Sequence, residues 1–160
     1  MRPRLLLPVL LLAASATAAS GTPTQSRSRF GDWTLIVRHD PFSGATSCRL
    51  TAKRMSYERG ALVLHLPHDS DTSNVVYRID GGRPITAEED RPILASLGFS
   101  IWRDDLSNPS DGLVRIPAYR LKTAHALDLA IPAKHQLLHS TLRDFASALS
   151  AFRTAECDDI

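Results

Sequence analysis

RFGDWTLIVRHDPFSG, residues 29–44, followed by ATSCRLTAK to residue 53, is the stretch whose reading decides the fold. Trp33-Thr34-Leu35-Ile36-Val37 is aromatic and β-branched, and Cys48-Arg49-Leu50-Thr51-Ala52-Lys53 alternates with a period of two; both are strand signals. Between them lies Asp40-Pro41-Phe42-Ser43-Gly44, all turn-forming chemistry, so the two runs are predicted to fold back as an antiparallel pair. Trp33 shares one face of its strand with Leu35 and Val37, which makes it a core residue in this reading rather than a platform for a ligand.

Working outward, Ala61–Leu66 is a third run closed by Pro67, and Asn74–Asp80 a fourth ended by Gly81-Gly82. Phe99–Arg103 and Gly112–Ile116 are shorter candidates, and Ala126–Ile131 alternates until Pro132 stops it. The period then changes. From Leu137 on, Leu138, Leu142, Phe145, Leu149 and Phe152 recur at three- and four-residue steps, the stripe of an amphipathic helix, with Thr141 and Asp144 as a possible cap. Many strands followed by one helix predict a mainly β protein, an antiparallel sandwich or a partly closed barrel, with the C-terminal helix packed on it.

The chain begins MRPRLLLPVLLLAASATAAS, two arginines, an apolar run and an Ala-Thr-Ala site. Residues 1–18 therefore read as a secretory signal peptide, too short and too interrupted for the roughly 20 apolar residues of a membrane span. Residues 19–28 read as a flexible polar lead, 29–157 as a single β-rich domain with its helix, and 158–160 as a frayed tail. The expected location is periplasmic or secreted, with no membrane span after cleavage. In such a compartment Cys48 and Cys157, the two cysteines, are expected to pair; the alternatives are two free thiols or a bond between molecules.

The signal takes Arg2 and Arg4 with it, which lowers the 19 basic residues to 17 against 17 acidic ones. A chain without net positive charge gives no ground for a nucleic-acid partner, and Arg49, Lys53, Arg54 and Arg59 read as a solvated face interrupted by other residues. No nucleophile elbow or phosphate-cradling glycine loop is present, so no catalytic residue and no cofactor is assigned. Asp69, Asp71 and Glu88-Glu89-Asp90 read as solvated loop acids. The pairs His65/His68 and His135/His139 lack a full ligand set, so no metal is assigned either. Candidate partner-binding residues are Trp102 and Tyr119 beside Arg103 and Arg120, since aromatic-plus-arginine surfaces often anchor partners.

Phe30-Gly31-Asp32-Trp33-Thr34-Leu35, the cysteine strand Cys48-Arg49-Leu50, Tyr77-Arg78-Ile79-Asp80-Gly81 and the terminal Thr141–Leu149 segment together resemble the invasion-associated locus B family of secreted bacterial proteins. That family places a cysteine soon after the Gly-Asp-Trp strand and a further pair in mid-domain. Here Val37-Arg38-His39 and the region 94–102 carry none, so its disulfide pattern does not transfer. The resemblance implies a non-enzymatic binding protein whose partner is an envelope or host protein. The alternative is a small periplasmic hydrolase or metal-dependent enzyme in which His125 or His135 meets a carboxylate.

Overall fold

The computed structural model describes residues 21–67, 70, 72, 74–99 and 112–157. The expected pair is present. Strand β2 (Trp33–His39) runs antiparallel to β3 (Thr46–Ala52), Leu35 opposite Leu50 and Val37 opposite Cys48. The chain continues through β4 (Met55–Glu58) and β5 (Ala61–His65), and β8 (Leu113–Pro117) joins the far side of β5.

From Thr24 onward the polar lead is not loose. Thr24–Phe30 forms β1, paired along its whole length with β2. Gly31-Asp32 is the two-residue turn between them, and Gly31 has φ 54°, the positive value that the first position of a II′ hairpin turn demands. A hairpin of this kind supplies the backbone hydrogen bonds that TQSRSRF has no apolar face to call for, and its exposed, charged side chains suit a sheet edge. The larger sheet thus has the order β1-β2-β3-β4-β5-β8.

A second sheet is built from β6 (Val76–Ile79), β7 (Ile85–Thr86), β9 (Ala126–Ile131) and β10 (Gln136–Thr141), in the order β10-β9-β6-β7. Strand β10 corrects the expected helix start at Leu137: the four residues 132–135 turn the chain after Ile131, His135 takes φ 47°, and Gln136–Thr141 pairs with β9 instead. The helix, α2, spans Phe145–Thr154, and Thr141 belongs to the strand rather than to a cap.

Sequence reasoning also missed α1 (Ala87–Ser96), because Pro92 stands inside it. Its entry follows a Thr-x-x-Glu pattern, the N–H of Thr86 reaching Glu89 Oε1 at 3.5 Å. Glu88, Glu89 and Asp90 are therefore its first turn, not a loop, and Asp90 is fully buried.

One core serves both sheets and α2: Trp33, Leu50, Leu62, Ile116, Leu127, Leu129 and Phe145 belong to a single buried cluster. Among the described residues the protein is sandwich-like, with two antiparallel sheets and no closed barrel. Helix α2 lies on the larger sheet with the Phe145 ring 4.8 Å from that of Trp33 and Phe152 edge-on to Tyr57 at 4.9 Å. Its end is bonded to the sheet by the Cys48–Cys157 disulfide, with Cα atoms 5.4 Å apart.

Candidate functional site

The β3–β4 hairpin turns on Lys53-Arg54, since Ala52 pairs with Met55. Arg54 sits at φ 58°, a left-handed conformation that an arginine adopts at some cost and a glycine would adopt freely. Both side chains are exposed and project at the mouth of a cleft of about 600 Å³. Arg29, near the end of β1, and Asp32, in the β1–β2 turn, line it beside them. The end of β5, His65 to Pro67, forms another part of the wall, and β10 the opposite one. That volume suits a small molecule or a few residues of a peptide.

Charge in the cleft is unbalanced. Arg29, Lys53 and Arg54 face one carboxylate, Asp32, and among the described residues Lys53 and Arg54 make no ion pair. Three basic residues that look scattered in sequence are brought to one place because two hairpin turns end at the same rim. The signal that could have found them is the Lys-Arg pair standing where a turn prefers Gly or Asn.

The histidines do not assemble as the hydrolytic alternative requires. His125 and His135 are exposed, and the backbone N–H of His125, not its ring, bonds Asp80 Oδ1 at 2.9 Å. His139 is on β10 and contacts Asp128 across the sheet, Nδ1 to Oδ1 at 2.7 Å. Among the described residues no group of three His, Cys, Asp or Glu is placed to hold a metal ion. His65 is different: its Nε2 lies 2.8 Å from Ser56 Oγ, with Arg49 and Arg54 lining the same shallow depression on the outer face of the larger sheet.

Of the predicted partner surface, Trp102 and Arg103 lie outside the described residues. Tyr119 is 46 % exposed on a 3-10 turn at Ala118–Leu121. Arg120 stands beside it but is turned inward, and its Nε donates to Asp90 Oδ1 at 2.6 Å. The other oxygen of Asp90 accepts from Tyr77 Oη at 2.5 Å. Burial, reinforced by that hydrogen bond, pushes the Tyr77 phenol far above the usual tyrosine range. This is a buried polar clasp between α1, β6 and the turn, so Arg120 is not a free surface cation.

Fold and site define a two-sheet β protein with a disulfide-anchored helix and a cationic cleft. No family model matches the chain, and no curated protein and no solved structure matches it. Among the described residues no helix is long and apolar enough to cross a membrane.

Proposed function

We propose that the protein is an exported, non-enzymatic binding module of a bacterial envelope, in the manner of the invasion-associated locus B proteins it resembles, and that it holds an anionic partner in the cleft between its sheets. The observation that carries this reading is the Arg29, Lys53 and Arg54 wall faced by Asp32 alone. A cleft of one sign focuses the field and speeds capture of an oppositely charged partner. The disulfide supports an oxidising compartment. Cross-linking in the producing cells, followed by fractionation, tests it: the native chain should be captured on an envelope or host protein, and Lys53→Glu with Arg54→Glu should abolish capture. Recovery in the cytoplasm, or capture indifferent to the charge reversal, overturns the proposal.

A second reading has one specific observation behind it, the Ser56–His65 contact. A hydroxyl at 2.8 Å from an imidazole nitrogen has the spacing of an activated nucleophile. In hydrolases a third group orients the base, and among the described residues the side-chain bond of His65 is the one to Ser56. A fluorophosphonate that labels Ser56 in the folded protein, and fails on His65→Ala, would favour hydrolysis over binding.

A further inference from the structure

The cleft runs along the open edge of β10. Its lining includes Leu138, His139, Ser140 and Thr141, four consecutive residues. Side chains of a strand alternate between faces, so a cavity touching four in a row borders the edge of the strand rather than one of its sides. Among the described residues, strand β10 is terminal in its sheet, with β9 as its sole strand partner.

The phase of that pairing identifies which backbone groups of β10 are turned away from β9. The N–H of Leu142 donates to the carbonyl of His125 at 2.8 Å, and the register puts Thr141 opposite Ala126 and Ser140 opposite Leu127. Bonded pairs in an antiparallel ladder alternate, so Ser140, Leu138 and Gln136 bond to β9. The N–H and C=O groups of Leu137, His139 and Thr141 point the other way, away from β9. The neighbouring ladder agrees: Asp80 donates to the carbonyl of Ala126 at 3.1 Å, which commits the alternate residues Ala126, Asp128 and Ala130 of β9 to β6 and leaves Leu127, Leu129 and Ile131 to β10.

Resting on the cleft-binding reading, we infer that the ligand is an extended acidic peptide segment that adds to β10 as a fifth strand of the smaller sheet, its backbone pairing with Leu137, His139 and Thr141 and its carboxylates reaching Lys53, Arg54 and Arg29. Backbone pairing at a sheet edge supplies affinity, and side chains across the groove supply selectivity. The occupant is set by complementarity, because the wall facing the edge is cationic. A lysine-bearing strand would meet three like charges there.

The test is fluorescence anisotropy with a short labelled peptide of alternating glutamate and valine, its lysine counterpart, and the glutamate peptide N-methylated at alternate amides. The glutamate peptide should bind the full chain, and the other two should not. His139→Pro removes one cleft-facing N–H while sparing the ladder to β9, and it should weaken binding about tenfold beyond His139→Ala, which loses the same side chain but keeps that N–H. Retained affinity of the N-methylated peptide for the native protein overturns strand addition even if the proline variant misfolds. In that case loss of binding in Arg54→Glu still upholds a cationic cleft that takes an anionic ligand. Concentration-dependent dimerisation that the peptide does not compete would also overturn it, by assigning the edge to a second copy of the chain.

Discussion

Asp90 is the residue whose place in the protein is least visible from its neighbours in sequence. It lies in an acidic run, yet it is fully buried and holds Tyr77 and Arg120 together. The two ends of the ion pair differ in exposure, with Arg120 at 20 % and Asp90 at 0 %. Removing either partner of a buried pair costs about 3–5 kcal/mol, and the asymmetry orders the variants. Asp90→Ala leaves a guanidinium that reaches water and should cost about 3 kcal/mol, whereas Arg120→Ala strands a carboxylate without solvent and should cost nearer 5 kcal/mol; urea midpoints check the order. Tyr77 gives an alkaline counterpart. Its folded value is raised by burial and by the Asp90 hydrogen bond, while the unfolded phenol ionises near 10.0. The stability it contributes is thus complete below that pH and declines as pH rises above it. Of the three tyrosines, Tyr77 should give no phenolate absorbance until the fold is lost, and Tyr77→Phe should remove that late step. Trp33, fully buried against Phe145, should cost about 3–5 kcal/mol as Trp33→Ala, and a variant of native stability would remove it from the core.

At the scale of elements, two exposed carboxylates beside the smaller sheet and α1 should lend the protein a modest acid sensitivity. The hydrogen bond from Arg83 holds Glu89 down at about 2, against an ordinary 4.5, and the N–H groups of His125 and Ala126 hold Asp80 below its usual range. Depressed carboxylates stabilise the fold above their unfolded values, and that support fades as pH falls from about 4.5 toward 2. Amide exchange at the start of α1 should quicken through that window, and Glu89→Gln should flatten the dependence. The same elements mark what was legible in the sequence. Strands β2, β3, β5, β6, β8 and β9 were readable because each carries its own apolar alternation or run. Strands β1 and β10 were not, since both are sheet edges fixed by a hairpin partner rather than by a buried face. Pro92 concealed α1, and Leu138 continued the helical spacing of Leu142 and Phe145 while belonging to a strand. The cleft was hidden for a related reason: its cations come from two separate hairpins and its other wall from an edge, and no local pattern links them.

Across the whole molecule, the tail is tied to the beginning twice. Phe145 and Phe152 lay α2 on Trp33 and Tyr57, and Cys157, beyond the helix, is bonded to Cys48 on β3. The disulfide spans 109 residues of sequence, and closing a loop of that size restricts the unfolded chain by about 4–5 kcal/mol in the chain-entropy treatment. The folded chain needs the bond less, because the aromatic contacts hold the helix end near the sheet without it. Reduction should therefore leave a protein with native secondary structure whose stability is lower by about 2–5 kcal/mol, and the Cys48→Ala/Cys157→Ala variant should match the reduced form. If the bond acts chiefly on the unfolded chain, amide exchange within the folded helix should change little apart from its last turn, while the denaturation midpoint falls. Equal midpoints for the oxidised and reduced forms would show that the unfolded chain already keeps its ends together, and both thiols reactive in the unreduced native protein would show that the tail closes elsewhere.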